Sequence, residues 1–354
     1  MNFVTLHDLF DRSFGRDAAS EYADLLDWPG KTTPVSAPGI AALAAKYGAE
    51  FDPEGDHDLT NRVCGQGKLM TYKEELFAAN PILGGLGEVE PVFLMRSAEA
   101  TRALPGGEGE AGVVVVDALW FSFASFAVQS LLVRWPDLSE RGAEEKRLSI
   151  ILHFAARARL YRDILTGDVK PKSAYQAIWE CWPTEWDADF QLAIYLWTGL
   201  GRFVVAHELS HLLLHGPEGA TVEAAIGRGL TPPGWDIGRV VRTEGRERVE
   251  SWLYEVEADR AALALCESFA GHAPQLAGPL LYATLYLFLC LDALDRRAGR
   301  GGRFARRAAA IRAAVAAHPL VGRDGAREAE AQFAARAGFF FDMAERLDPE
   351  TVAA

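Results

Sequence analysis

His207, Glu208 and His211 are the residues of this chain whose types and spacing most directly imply chemistry. Two histidines four positions apart on an α-helix differ by about 40° in azimuth and about 6 Å in height, so both imidazoles reach one metal ion. Glu208, about 100° round from His207, falls beside that ion rather than in its ligand set, close enough to take a proton from an attacking water. A zinc ion at such a place acidifies water toward a pKa of about 7. The pattern points to zinc-dependent hydrolysis, with His207 and His211 as ligands and Glu208 as the general base.

The neighbouring residues predict the helix that must carry these groups. Phe203-Val204-Val205-Ala206 lead in and Leu212-Leu213-Leu214 follow, and a helix apolar nearly all round belongs in a protein interior. Gly216-Pro217 ends it, because glycine accepts a left-handed cap and proline cannot continue the turn. A catalytic zinc takes a third protein ligand and leaves its fourth position open. His215 continues the same face but lies about 12 Å along the axis from His207, too far for three rings to meet one ion. It reads instead as a helix C-terminal residue facing the last carbonyls.

A second helical stretch, Trp252 to Ala262, offers the missing ligand. Glu255 follows His211 by 44 positions (255 − 211) and shares a helix face with Asp259, while Glu257 lies about 200° away and points elsewhere. Glu255 is the expected third ligand. Asp259, one turn on, is expected to accept the other ring N–H of a ligand histidine, most directly His207, and so to fix its tautomer.

The combination of His-Glu-x-x-His with a later Glu-x-x-x-Asp resembles the gluzincin metallopeptidases. The run from Arg202 to His215 is similar to the active-site helix of the ImmA/IrrE-like peptidases. Glu255-Val256-Glu257-Ala258-Asp259-Arg260 is more similar to the HtpX and CaaX-protease group and to the phage-exclusion peptidase Lit. The resemblance covers two short blocks. It implies a gluzincin active site with Zn2+ as cofactor, and limited cleavage of one protein target, as in stress response or phage defence. His318-Pro319 followed by Arg323 resembles a His-Pro and arginine pair found downstream in HtpX-like and Lit-like peptidases. That resemblance implies a catalytic role for His318 or Arg323 in steadying the developing oxyanion; the alternative is a helix terminator with a surface arginine. Tyr254 is a further donor, or else a packing residue.

Composition narrows the class. A formal net charge of −13 over 354 residues argues against a nucleic-acid partner, since phosphate binding needs a basic surface. The cluster Arg296, Arg297, Arg300, Arg303, Arg306 and Arg307 reads as a solvated helix and loop face. Cys64, Cys181, Cys266 and Cys290 form no C-x-x-C pair and read as reduced thiols, and Met1 to Phe10 has no secretory pattern, so a cytoplasmic protein is expected. Leu276 to Leu291 is short of the roughly 20 residues that span a bilayer, and polar residues interrupt Gly112 to Val133. Both read as core elements, and membrane attachment is not expected.

The expected fold is α+β and zincin-like: a mostly helical catalytic domain with a small sheet beside the His207 helix. Pro91 to Arg96 and Val113 to Leu119 are its strands, as a hairpin or two strands joined by the loop holding Pro105-Gly106-Gly107-Glu108-Gly109. Helices are expected at Glu145–Ile164, Asp187–Trp197, Leu276–Ala298, Phe304–Ala317 and Gly325–Leu347, besides the two motif helices. Residues 1–88 are expected to form an N-terminal region and 89–354 the peptidase domain. The stretch from Gly216 to Glu250 reads as a long loop able to cover the cleft. The functional expectation is a zinc endopeptidase acting on a specific intracellular protein, with an activating or inhibitory protein partner if the enzyme is latent. The alternative is a regulatory or scaffolding protein that uses its zinc site to hold a partner or sense metal.

Overall fold

The structure, a computed structural model, describes residues 65–94, 101–106, 111–139, 141–166, 190–215, 236–269, 277–299 and 303–346. Within them the chain is mostly helical with one three-stranded sheet, an α+β arrangement. Helix α1 (Gly65–Ala79) and a 3-10 turn (Pro81–Leu86) lead into β1 (Val89–Leu94), β2 (Arg102–Leu104) and β3 (Gly112–Asp117). Helices α2 (Ala118–Leu132), α3 (Ala143–Thr166), α4 (Phe190–His215), α5 (Ile237–Glu244) and α6 (Arg246–Phe269) follow. Then come α7 (Ala277–Arg297), α8 (Arg303–Ala317), α9 (Gly322–Phe333) and α10 (Phe339–Arg346), the last two joined by a π turn, Ala334–Gly338.

The sheet order is β1-β3-β2. β1 and β3 are not a hairpin: they run parallel, with Val89 opposite Gly112 and Leu94 opposite Asp117. The Pro-Gly segment instead follows β2, a strand the residue pattern does not suggest, which pairs antiparallel with β3 through Arg102–Val115 and Leu104–Val113. Central β3 has Val113 to Val116 all buried. An unbroken β-branched run, rather than alternation, is what a strand covered on both faces requires. Helix α4 packs against β2 and β3.

Polar residues that interrupt α2 are satisfied inside the core. Ser122 Oγ meets the Tyr161 hydroxyl at 2.7 Å, Gln129 Nε2 donates to Ser125 Oγ at 2.9 Å, and Arg157 donates to Gln129. Helix α7 is long and apolar enough to cross a membrane, yet its apolar window is 94% buried inside the fold. There Tyr282, Tyr286 and Phe288 are fully enclosed. Cys266 and Cys290 are buried free thiols.

Residues 65–88 join this same core through Leu69, Tyr72, Leu76 and Leu83; residues 1–64 of the expected N-terminal region lie outside the described residues. From Phe190 on, the helix expected at Asp187–Trp197 and the motif helix are one continuous element, α4, while 187–189 lie outside the described residues. Part of the long loop is helical: Asp236 caps α5 by accepting from Arg239 N at 3.0 Å, and α6 begins at Arg246, while 216–235 lie outside the described residues. The C-terminal helix is broken by the π turn, after which Phe340 stacks on Phe154 at 4.5 Å and Phe341 approaches Phe126 at 5.7 Å. An extra residue in a helical turn rotates the turns beyond it, and here that rotation feeds the aromatic run into the core.

Candidate metal centre

Helix α4 is held rigidly where the chemistry needs it. Gly199 and Gly201 sit in its interior, where glycine costs about 1 kcal/mol relative to alanine. Packing explains them: a Cβ on Gly199 would stand 2.7 Å from Leu280 Cδ1, and one on Gly201 would stand 2.7 Å from Tyr72 Cε2 and 2.8 Å from Phe121 Cε1. The helix thereby lies close against α1, α2 and α7. His207 and His211 follow within three turns, buried to 6% exposure each.

The structure brings His207, His211 and Glu255 together. One ligand atom from each lies within 4.8 Å of the others. The two Nε2 atoms are 3.0 Å apart, and Glu255 oxygens stand 3.5 Å from His207 Nε2 and 3.9 Å from His211 Nε2. Donors placed about 2.0–2.2 Å from a tetrahedral zinc are separated by about 3.3–3.6 Å. The three observed separations bracket that edge length, and two imidazoles with one carboxylate is a donor set that suits zinc with an open fourth position. His211 is backed by Tyr254, whose ring stacks on it at 4.2 Å and 15°.

Asp259 also lies where the spacing places it. Its Oδ1 is 2.9 Å from His207 Nδ1, and the carboxylate is wholly buried. A carboxylate at Nδ1 favours the tautomer that leaves Nε2 free for a metal. Burial by itself would depress the His207 imidazole, but Asp259 and Glu255 outweigh it and carry the ring up to about 9. Glu257 is buried at 2% exposure on the same helix and does not line the cavity around the metal centre.

The residue that completes this arrangement is Arg307 of α8. Its Nε and Nη2 fork onto Asp259 Oδ2 and Oδ1 at 2.7 and 2.6 Å, and Nη1 reaches Glu255 Oε2 at 2.7 Å. The guanidinium lies between Phe288 and Phe304, 5.0 and 5.3 Å from their ring centres. Burial works against its charge, yet Asp259 and Glu255 hold Arg307 more firmly protonated than an ordinary arginine. Counted formally with both histidines neutral, the form that ligates a metal, Glu208, Glu255 and Asp259 carry −3 against +1 on Arg307, and the difference of −2 is the charge a divalent ion neutralises. The expectation that Arg307 belongs to a solvated basic face is corrected here. The available signal was helical spacing: Phe304 and Arg307, three apart, share a face, and an aromatic ring offers a guanidinium a surface to stack on.

Glu208 is 4% exposed. With His207, His211, Tyr254, Glu255 and Arg307 it lines one cavity of about 670 Å3. Tyr254 is pushed above its ordinary 10.0 by burial and by Glu255 and Glu208, so its hydroxyl keeps its proton.

His318 and Arg323 do not line this cavity. His318 forms the turn between α8 and α9, its Nδ1 accepting from Leu320 N at 3.3 Å, and Arg323 is exposed on the first turn of α9. The reason is axial: α8 points Arg307 at the metal centre, and His318 stands eleven residues further along, roughly 16 Å away. His215 ends α4. Comparison with protein-family models, with curated proteins and with solved structures finds no match to this chain.

Proposed function

We propose that this chain is a zincin-like, zinc-dependent endopeptidase of gluzincin type that acts in the cytoplasm on a specific protein target, with roles such as stress response or phage defence. The observation that carries this reading is the convergence of His207, His211 and Glu255 on one point, with Glu208 in the same cavity. A site that only held metal for structural reasons would need no buried glutamate beside its ligands.

When bound, zinc supplies a Lewis acid that polarises a carbonyl and lowers the pKa of water to about 7. Glu208 takes the proton of the attacking water and later delivers it to the leaving amine. Asp259 orients His207, and Arg307 holds both acidic residues of α6 in place. Tyr254, which lines the same cavity and keeps its proton, is the donor assigned to steadying the oxyanion. Thr101 and Ala103, at and beside β2, line the same cavity. β2 lies at the end of the sheet order among the described residues, so an extended peptide can align along it by strand addition.

The test is Glu208→Gln. Zinc content measured by mass spectrometry should stay at the parental level while cleavage, followed by comparing proteomes of cells carrying parent and variant, disappears. Full biological activity in the zinc-loaded variant would refute the peptidase reading and leave the regulatory or scaffolding one.

A further inference from the structure

The cavity extends well past the metal centre. Away from His207 and Glu208 its wall is built from α2, α3 and α7: Phe123, Tyr161, Ile164, Leu291 and Leu294. These five are 3–9% exposed and so form the floor of a recess rather than a surface patch. Trp120, Leu165 and Phe304 are only partly buried and line its mouth.

The floor is apolar in fact as well as in composition. The Tyr161 hydroxyl is engaged by Ser122 at 2.7 Å, so this residue contributes its ring. Phe123 meets that ring edge-on at 5.0 Å and 87°, fixing both aromatics. At the metal end Glu208 and Glu255 are offset by Arg307 and, when it is bound, by the ion, while the recess itself holds buried Asp295 on α7. An acidic ligand group would give up its hydration against these apolar side chains and Asp295, and a small one would leave the recess unfilled.

We infer that this recess is a specificity subsite that takes a large apolar side chain, aromatic or leucine-like, from the substrate residue adjoining the scissile bond, and rejects acidic residues at that position. The inference rests on the zinc-peptidase reading and adds the substrate class. The occupant follows from continuity: recess and metal centre are one cavity, so a peptide carbonyl held at the metal has its neighbouring side chain at the mouth of the recess. Filling an enclosed apolar site is favourable in proportion to the area removed from water, and pockets of this kind discriminate by shape and polarity.

The experiment uses the full chain loaded with zinc and a set of short peptide hydroxamates that differ only in the side chain next to the metal-binding group: phenylalanine, leucine, glycine or aspartate. Calorimetry should give phenylalanine and leucine affinities about 10- to 100-fold above glycine, with aspartate weaker than glycine. Leu165→Arg, which puts a charge at the mouth, should collapse the phenylalanine-to-glycine ratio toward one. The parental ratio stands as a test even if that variant fails to fold. Equal binding of phenylalanine and glycine, or aspartate as the best ligand, would overturn the subsite while leaving the metal reading intact. Binding by none of the four would overturn both.

Discussion

Replacing Arg307 with methionine isolates one physical effect. Methionine keeps an unbranched apolar stem between Phe288 and Phe304, so the loss is the guanidinium and its three contacts to Asp259 and Glu255. Asp259 has no solvent exposure and Arg307 almost none, so water cannot take over. Removing one partner of a buried pair leaves an uncompensated charge and costs about 3–5 kcal/mol. A chain of this size shifts by about 2 °C in Tm per kcal/mol, which gives a fall of about 6–10 °C. The assay is thermal unfolding in the presence of a chelator, so that bound metal does not enter the comparison. Acid supplies a second signature. Burial raises the Asp259 carboxyl, but Arg307 and His207 outweigh it and hold it below its ordinary 3.8. A carboxylate depressed in the fold contributes stability above its unfolded pKa and loses it as pH falls through the folded value. The gap between parent and variant should thus be full at neutral pH and close in acid. Arg307→Lys should recover part of it, since one ammonium cannot reproduce the fork. A variant melting within about 1 °C of the parent at neutral pH would refute the claim that Arg307 compensates the buried carboxylates.

Other outcomes rest on single contacts. Gly201→Ala should destabilise despite the better helix former, because overpacking against Tyr72 and Phe121 costs about 1–3 kcal/mol and outweighs about 1 kcal/mol of propensity; a rise in Tm would contradict it. Tyr254→Phe keeps the stack on His211 and should leave zinc content unchanged while lowering kcat about 100-fold, the scale of one oxyanion donor. An unaltered kcat would return Tyr254 to a packing role. Burial, aided by Arg157, lowers the His153 imidazole from 6.5 to about 4. Its contribution is complete above pH 6.5 and is lost as pH falls toward 4, by about 3 kcal/mol at most and about 2 once solvent contact is discounted. His153→Leu should flatten that acid limb in urea unfolding curves, and an identical limb would count against the assignment.

The local parts of the centre were legible because helix geometry is periodic. His207, Glu208 and His211, and likewise Glu255 and Asp259, are related by fixed angles within one helix, so spacing suffices to put them on common faces. The docking of α4 on α6 was inferred only because both faces carried metal-binding chemistry. Arg307 escaped because its relation to Glu255 is purely tertiary, and a row of arginines in sequence does not say which one turns inward. The same limit explains the sheet: an apolar run marks β1 and a β-branched run marks β3, but whether they run parallel depends on β2, which is only three residues long. His318 and Arg323 were chosen by resemblance; the length of α8 carries His318 away from the centre, and Arg323 follows it on α9.

The distribution of the centre over α4, α6 and α8 bears on how a cell makes this molecule. A growing chain presents His207 and His211 first, Glu255 next, and Arg307 only about a hundred residues after the first histidine. Until Arg307 emerges, docking α6 would enclose Asp259 and Glu255 against His207 alone, without the guanidinium that bridges both carboxylates. Assembly of the centre is therefore a late event in synthesis, and ribosome-bound chains halted near residue 300 should leave α6 protease-sensitive unless free metal stands in for the missing cation.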